Sequence, residues 1–259
     1  MFRDFILKEL LPEVNKINYN TKSKKKFLSK NKDVVDPVTI YDKLIEKKIR
    51  QLIKKKFSNH SIIGEEEKSH IIKNSNYEWV IDPIDGTKAF ILGQPTWSNL
   101  IGLFHKKKPI LSFANFPDLK KCYFADNTGA YLYENNKVKK IKSSKCEDIK
   151  KSKIITNSIH TFVNNKIFNF FRNYKYFFKI TGSDAYNFCL ICEGKIDILI
   201  ECGLKQVDIL PLKKIILEAG ANITNWKGNK DTSKGDVVVS SNKILHSKFI
   251  KKLKLNKVI

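Results

Sequence analysis

Two aspartates stand three residues apart directly after an apolar run, in the segment Trp79-Val-Ile-Asp-Pro-Ile-Asp-Gly-Thr87. The apolar residues predict a buried strand that ends at Asp82, and Pro83 predicts a turn that brings Asp85 to the same side. Two carboxylates held in this way offer the hard oxygen ligands that Mg²⁺ prefers, and the carbonyl oxygen of Ile84 could add a further ligand. The segment therefore predicts a magnesium site.

The residues after the second aspartate predict an anion site beside the metal. Gly86 lets the backbone approach a ligand closely, and a helix that starts here would point the amides of Gly86 and Thr87 at a phosphate. Metal and phosphate would then meet at one corner of the protein. An Asp-Pro turn followed by a helix cap is the alternative interpretation, and it is common enough that this segment alone does not decide.

Three further acids occur in suitable settings elsewhere in the chain. Glu65 follows the apolar segment Ser61–Gly64 and is expected to lie beside Asp82, Asp42 lies in a long helical pattern, and Asp208 heads another helical pattern. A surface acid, a helix-face charge and an N-cap are the alternative interpretations. Their joint occurrence around the central segment favours a site built from carboxylates.

The composition limits the class of protein. The 259 residues include 49 Lys+Arg and 26 Asp+Glu, a net charge of +23, and 42% are hydrophobic, which indicates a globular core. Lysines occur along the whole chain, without zinc-finger spacing or an aromatic-rich nucleic-acid motif. A solvated lysine-rich surface is therefore favoured, and a basic nucleic-acid-binding protein is the non-enzymatic alternative. Such a surface would attract a phosphorylated substrate over long range.

The sequence predicts a cytoplasmic protein. It has no apolar run of about 18 residues that could cross a bilayer, and its first ten residues alternate charged with apolar side chains, unlike a signal peptide. The odd number of cysteines, five, is typical of a reducing compartment. Cys189 and Cys192 have C-x-x-C spacing, but their apolar surroundings predict a buried helix with free cysteines that behave as small hydrophobic residues.

The pattern of elements predicts two halves of one catalytic domain over residues 1–259. The first half, to about residue 140, combines helices at 2–17 and after Asp36 with an antiparallel sheet over 99–133, and it carries the metal motif. A polar, lysine-rich stretch at 20–33 separates the two helices. The second half, about 150–259, alternates short strands with helical patterns at 184–193 and 208–219 and is expected to complete the site.

These segments resemble the inositol monophosphatase superfamily of Mg²⁺-dependent, lithium-sensitive phosphatases. The resemblance rests on Gly64-Glu-Glu66, Trp79 to Thr87, and Gly182-Ser-Asp-Ala185 through Asp208, and it runs from about Asp33 to about Trp226. It implies an α/β fold, a layered αβαβα sandwich. It also implies two or three Mg²⁺ ions, held by Glu65, Asp82, the Ile84 carbonyl, Asp85 and Asp208. Thr87, paired with Asp42, would orient the attacking water, Glu65 would also be catalytic, and Gly86 and Thr87 would bind phosphate.

Within the superfamily, the sequence is most similar to the histidinol-phosphatase branch. The similarity lies in Asp85-Gly-Thr-Lys-Ala-Phe90, Gly93-Gln-Pro-Thr96, Ile180–Tyr186 and Glu201-Cys-Gly-Leu-Lys205. Inositol phosphatases usually have a small neutral residue where Asp184 stands, and an acid there suits a substrate that carries an ammonium and an imidazole group. The resemblance thus implies substrate contacts from Ser183, Asp184 and Glu201. A helix N-cap at Asp184 and a strand-end acid at Glu201 are the alternatives.

The predicted function is therefore a phosphoric monoester hydrolase that converts L-histidinol phosphate and water to L-histidinol and phosphate through a metal-activated water. Inositol monophosphatase and 3′(2′),5′-bisphosphate nucleotidase are the alternatives. Two departures from the family pattern, Tyr41 and Gln206-Val207, affect the fit of the substrate and leave the reaction class unchanged. The expected partner is a small phosphate monoester. Membrane association is not expected, nucleic-acid binding is disfavoured, and a homodimer is possible.

Overall fold

Helices begin the chain, as the spacing of its apolar residues predicts. The computed structural model describes residues 1–20, 27–29, 37–158 and 165–258. The first range is helical almost throughout, with α1 (Phe2–Phe5), a π-helical turn (Ile6–Leu10) and α2 (Leu11–Asn20), and a longer helix, α3 (Ile40–Lys56), follows. The predicted polar stretch at 20–33 lies mostly outside the described residues, and so does Asp36.

Helix α3 is fixed at its start by a capping box. The Thr39 hydroxyl accepts a hydrogen bond from the Tyr41 amide at 3.2 Å, and the Asp42 carboxylate accepts one from the Thr39 amide at 2.7 Å. A recurrence of four residues then aligns the buried apolar side chains on one face of the helix: Ile45, Ile49 and Ile53. This face packs on the first sheet and sets the direction of the helix.

The first large sheet has seven strands in the order of the sequence. They are β3 (Ser61–Gly64), β4 (Tyr77–Asp85), β5 (Ser98–His105), β6 (Lys108–Phe116), β7 (Lys121–Asp126), β8 (Gly129–Glu134) and β9 (Lys137–Lys140). Strands β3 and β4 are parallel, and the remaining pairs are antiparallel, which confirms the predicted antiparallel sheet. Helix α4 (Thr87–Leu92) connects β4 to β5, and a separate antiparallel pair consists of β1 (Phe27–Ser29) and β2 (Pro37–Thr39).

The second large sheet has five strands in the order β11-β10-β12-β14-β13, of which β11, β10 and β12 are parallel. The strands are β10 (Ile154–Thr156), β11 (Phe178–Ile180), β12 (Ile198–Glu201), β13 (Asn222–Thr224) and β14 (Val237–Ser240). The helices of this half are α5 (Asn165–Arg172), α6 (Asp184–Cys192), α7 (Gln206–Ile209), α8 (Lys213–Glu218) and α9 (Lys243–Leu255).

The single helix predicted for 208–219 is wrong in two respects. It begins earlier, at Gln206, and a 3₁₀ turn (Leu210–Leu212) divides it into α7 and α8. Pro211 explains the division, because it lacks the amide hydrogen that a continuous α-helix would need at that position.

Three buried clusters show that helices and sheets alternate in five layers. The first cluster joins the N-terminal helices to the seven-stranded sheet through residues such as Phe5, Ile49 and Phe113. The second joins the two sheets through α6 and α8, with Phe116, Phe188 and Val239 among its members. In the third, α5 and α9 cover the outer face of the five-stranded sheet. This arrangement confirms the predicted αβαβα sandwich.

Two further expectations concern the described residues. No helix within the described ranges is both long and apolar enough to cross a membrane. None of the five cysteines, which all lie in the described ranges, forms a disulfide bond, and four of them, including Cys189 and Cys192 on α6, are buried. Burial raises the pKa of both of these thiols well above its ordinary value. The two residues are thus inert apolar side chains of the helix, as predicted.

Candidate metal centre

A β-bulge in β4 brings the two central aspartates to one side of the sheet. Asp82 pairs with Leu100 of β5 and Asp85 pairs with Ser98, so that three steps along β4 match two steps along β5. The extra residue reverses the alternation of side chains, which would otherwise place the two aspartates on opposite faces. The predicted turn at Pro83 is wrong, since β4 continues to Asp85. Proline, which lacks an amide hydrogen, is suited to a bulge.

The side chain of Asn99 holds the bulge from the neighbouring strand. Its Nδ2 donates to the carbonyl oxygen of Pro83 at 2.7 Å, and its Oδ1 accepts from the amides of Asn18 and Asn115, each at 2.9 Å. Asn18, Asn99 and Asn115 are buried. The backbone between the two aspartates is therefore fixed by a buried chain of amides.

Three aspartates converge at the bulge. One carboxylate oxygen of each of Asp82, Asp85 and Asp208 lies within 4.8 Å of the others. Asp208 is the third residue of α7, and its carboxylate accepts a hydrogen bond from the Lys205 amide at 2.7 Å. The prediction that Asp208 heads its helix is thus off by two residues. The buried Oδ1 of Asp82 has no hydrogen-bond donor among the described residues, so it is available to a cation.

Glu65 lies outside this group of three but lines the same cavity. It follows β3, which runs parallel to β4 and brings the loop beside Asp82. One of its carboxylate oxygens lies 2.9 Å from the Nζ of Lys205. In addition to burial, the charge of Glu65 contributes to the raised pKa of Asp82.

Burial and mutual repulsion disfavour the ionised forms of the carboxylates in this corner. Burial raises the pKa of Asp82 and of Asp85 well above the ordinary value, and their acidic neighbours raise it further. Burial likewise raises the pKa of Asp208 to about 6 and that of Asp42 to about 6. A bound cation would favour the ionised forms, because it supplies the missing counter-charge.

The corner opens into a cavity of about 710 Å³. Gly86 and Thr87 line it at the start of α4, where Gly86 is the N-cap in a left-handed conformation with a φ of 75°. A Cβ on Gly86 would lie 2.8 Å from Oδ2 of Asp184, so both the backbone conformation and the close approach require glycine. The Thr87 hydroxyl donates to the carbonyl oxygen of Ile84 at 3.2 Å.

The second half of the chain adds two more acids to the cavity, the partly buried Asp184 and the buried Glu201. Asn157 joins them: its Nδ2 donates to Oδ1 of Asp184, and its backbone amide donates to Oε1 of Glu201. Burial raises the pKa of Asp184 and raises that of Glu201 well above the ordinary value. Helix α6 also contributes a backbone bond from Ala185 to Asp85 at 3.0 Å.

Three predicted residues differ in their contacts from expectation. Asp184 is the first residue of α6 rather than its N-cap, which is Ser183, and its φ of 36° is left-handed. The Ser183 hydroxyl donates to the Thr181 carbonyl oxygen at 3.2 Å, and Ser183 is not among the residues that line the cavity. Asp42 also lies behind the cavity wall, with its carboxylate on Thr39 rather than on Thr87.

Comparison with known proteins places this corner in context. The family model described as "Inositol monophosphatase family" matches residues 5–257, nearly the whole chain. The chain belongs to the inositol monophosphatase family. Members of this family are metal-dependent phosphatases that act on phosphate monoesters.

Relatives within the family differ in their names. The bifunctional phosphatase IMPL2 of Arabidopsis thaliana chloroplasts is 35% identical over 208 residues, which cover 80% of this chain and 60% of that protein. A histidinol-phosphatase of Mycobacterium tuberculosis is 25% identical over 225 residues, which cover 84% of each chain. A crystal structure of an IMPase/NADP phosphatase complexed with Mg²⁺ and phosphate has a TM-score of 0.83 at 22% identity, covering 96% of this chain and 94% of that one. The last likeness shows the fold.

Several polar residues that support the corner of this family member could not be recognised from the sequence. Asn99 and Asn157 resemble ordinary loop or strand residues until their partners are known. Glu46 and Arg50 lie in a lysine-rich helix and resemble surface charges, yet they are 0% and 4% exposed. Their spacing of four residues, with Asp42 another four before, is the one signal that could have indicated a buried polar face of α3.

Proposed function

We propose that this member of the family is a Mg²⁺-dependent phosphomonoesterase that hydrolyses L-histidinol phosphate to L-histidinol and phosphate. The observation that carries the proposal is one cavity that Asp184 and Glu201 line together with the aspartate cluster. The aspartate cluster suits metal and phosphate, and the neighbouring pair of Asp184 and Glu201, which Asn157 links, suits a cation. The name of the Mycobacterium tuberculosis relative supports the choice of substrate.

The donor set fits Mg²⁺. It consists of carboxylate and carbonyl oxygens without a histidine or cysteine, and Asp82 offers a buried oxygen that lacks a donor among the described residues. We infer that two or three ions are held by these groups: Glu65, Asp82, the Ile84 carbonyl, Asp85 and Asp208. When bound, Mg²⁺ would polarise the phosphate and lower the pKa of a water molecule.

The remaining roles in this proposal, phosphate binding and orientation of the reacting groups, belong to the start of α4, to Asp42 of α3 and to Glu65 after β3. The amides of Gly86 and Thr87 would bind the phosphate oxygens. Because the Thr87 hydroxyl proton is directed to the Ile84 carbonyl, its oxygen can accept a hydrogen bond from the attacking water. Asp42, whose charge raises the pKa of Asp82, would assist from behind the cavity wall. Glu65 would hold and orient the reacting groups together with the aspartates.

The negative charge of Asp184 and Glu201 favours a cationic substrate over a neutral one. L-Histidinol phosphate carries an ammonium and an imidazole group, and either could neutralise Asp184 or Glu201. Inositol offers hydroxyl groups alone, which would add no positive charge beside the buried Glu201 or the partly buried Asp184. Burial raises the pKa of Asp184 more than Lys88 lowers it, and burying a carboxylate that is not fully neutralised is costly. Ser183 stays a predicted contact in the loop before α6, although its hydroxyl is directed to Thr181.

The test is the substrate preference of Asp184→Asn. A charge-assisted contact is worth about 1.5–3 kcal/mol, so its loss should lower kcat/KM for histidinol phosphate about ten- to a hundredfold. Glycerol phosphate, which lacks the cation, should be affected far less and is the control substrate. Equal losses on both substrates would show that Asp184 is structural or belongs to the metal corner.

A wild-type panel separates the alternatives. Phosphate release should be fastest from histidinol phosphate, ahead of inositol 1-phosphate and adenosine 3′,5′-bisphosphate. A preference for either of the latter would replace the proposed substrate and retain the phosphatase. A cytoplasmic location and a homodimer stay predictions from the sequence, as does a single catalytic domain with halves that meet between about residues 140 and 150.

A further inference from the structure

A buried ion pair on α3 lies next to the loop that carries Glu65. The side chain of Glu46 is 0% exposed and that of Arg50 is 5% exposed, and the Nε of Arg50 lies 2.7 Å from Oε1 of Glu46. The two residues are four apart, so they lie one above the other on the helix. Burying a charged pair is costly unless further hydrogen bonds satisfy both side chains.

Those further bonds go to the backbone of the loop after β3. The Glu46 carboxylate accepts hydrogen bonds from the amides of Glu66 at 2.7 Å and Glu67 at 3.1 Å. The Nη2 of Arg50 donates to the carbonyl oxygen of Glu67 at 3.0 Å. The pair thus fixes two successive residues of the loop, directly after Glu65.

Gly64 fixes the other side of Glu65. A Cβ at this position would lie 2.0 Å from Oε1 of Glu46, closer than real contacts allow. The carboxylate of Glu46 therefore packs against the backbone immediately before Glu65 and bonds to the backbone immediately after it. An acid that served only solubility would not require its loop to be fixed by a buried charged side chain. The support therefore indicates that the position of Glu65 matters.

We propose that Glu46 and Arg50 are positioning residues that set the Mg²⁺ affinity of the corner by holding Glu65 against Asp82. This inference rests on the proposed function, because it takes Glu65 as a metal ligand. Neither residue is among those that line the cavity. Partners that orient a metal ligand are typically worth about 10–100-fold in metal affinity. An apolar pair of similar volume can replace the charges of a buried ion pair, so a doubly substituted protein is expected to fold and its Mg²⁺ affinity can be measured.

The experiment compares Mg²⁺ binding to metal-depleted wild type and to the double variant Glu46→Leu/Arg50→Met by titration calorimetry. The double variant should bind Mg²⁺ about 10–100-fold more weakly. It should stay folded in chelator, with a Tm below that of the wild type because the amides of Glu66 and Glu67 lose their acceptor. Its Mg²⁺ requirement for phosphatase activity should rise by the same factor. Wild-type Mg²⁺ affinity in the folded double variant would overturn the proposal.

A second ion pair on a helix gives a matched control. Lys214 and Glu218 of α8 are also four residues apart, with Nζ and Oε1 separated by 2.7 Å, and neither lines the cavity. Lys214→Met/Glu218→Leu should keep the wild-type Mg²⁺ affinity. An equal loss in both double variants would also contradict the proposal, since it would reflect a general loosening of the fold.

Single variants decide the matter if the double variant does not fold. Arg50→Lys keeps the charge but loses the planar fork that reaches both Glu46 and Glu67, so it should weaken Mg²⁺ binding less than Arg50→Met does. Equal, wild-type affinities in the two variants would refute the proposal. Wild-type protein that binds no Mg²⁺ would instead refute the proposed function, so the two failures are distinguishable.

Discussion

Asp82 combines the features expected of a functional residue that opposes stability. It is 2% exposed, its Oδ1 lacks a donor among the described residues, and burial with four acidic neighbours raises its pKa. A buried acceptor without a partner costs about 1–3 kcal/mol. The side chain is thus unfavourable to the fold without a cation and favourable to the binding of one.

Asp82→Asn should separate these two effects. The amide keeps the volume and removes the charge, so the variant protein in chelator should have a higher Tm than the wild type near neutral pH. Mg²⁺ should raise the Tm of the wild type and leave that of the variant unchanged. The kcat/KM of the variant should fall more than about 100-fold, which exceeds the effect of losing a residue that only orients a metal ligand. Thermal unfolding with and without Mg²⁺ measures both effects. A variant that Mg²⁺ still stabilises would contradict the assignment.

Residue types alone were enough to find the acids but not their supports. Asp82 and Asp85 are conspicuous because the apolar run before them places them at a sheet. Glu46, Arg50, Asn99 and Asn157 carry no such mark, because their roles depend on bonds to residues distant in the sequence. Whether a charged residue of a helix faces solvent or a loop is decided by packing.

At the scale of elements, the bulge in β4 shows what the sequence could and could not predict. Asp-Pro correctly indicated that Asp82 and Asp85 share one side, but it predicted a turn where the strand continues. A bulge is a mismatch between two strands, and the register of β4 against β5 cannot be read from β4 alone. Similarly, the αβαβα layers followed from the family resemblance, whereas the division of α7 from α8 at Pro211 required the structure.

Asn99→Leu should disturb the metal corner through the bulge. The substitution removes the hydrogen bond to the Pro83 carbonyl and one hydrogen bond each from the side-chain amides of Asn18 and Asn115, and a buried group that loses its partner costs about 1–3 kcal/mol. We expect a lower Tm together with weaker Mg²⁺ binding, measured by calorimetry on the metal-depleted protein.

Asn115→Leu is the control for this prediction. Asn115 is equally part of the amide chain, but its hydrogen bonds go to Asn15 and Asn99 rather than to the bulge. It should lower the Tm and leave the Mg²⁺ affinity near that of the wild type. Equal losses of affinity in the two variants would show that the amide chain supports the sheet and not the bulge in particular.

At the scale of the whole molecule, the distribution of charge is uneven. Basic residues exceed acidic ones by 23, yet the cavity between the two halves gathers buried carboxylates from both. Lysines remote from the cavity cannot neutralise them, because charges separated by more than about 8–10 Å are largely screened at physiological salt. Lys88 and Lys205 line the cavity and offset part of the charge, but the pKa of Asp184 and that of Asp208 stay raised. Dissolved Mg²⁺ can neutralise these carboxylates. The stability of the protein is therefore expected to depend on pH and on Mg²⁺ concentration together.

The direction of the pH effect follows from the raised pKa values. In the folded, metal-free protein the pKa of Asp42 and that of Asp208 are about 6, against an ordinary 3.8. Between these values the folded protein binds more protons than the unfolded chain, so its free energy of unfolding falls as the pH rises from about 4 to about 6. His246 acts in the opposite direction, because burial lowers its pKa to about 4 and the unfolded chain then binds more protons.

The difference in Tm with and without Mg²⁺ isolates the metal corner. His246 is bonded to Thr224 and Ser240 away from the cavity, so its contribution is the same in both measurements and cancels. Mg²⁺ binds the deprotonated carboxylates, and its stabilising effect should therefore be small near pH 5 and grow as the pH rises through about 6. Higher Mg²⁺ concentrations should move this rise to lower pH, because metal and proton compete for the same oxygens. The acid limb of phosphatase activity should move with it. A Mg²⁺-induced change in Tm that is constant from pH 5 to 8 would mean that Mg²⁺ binds elsewhere.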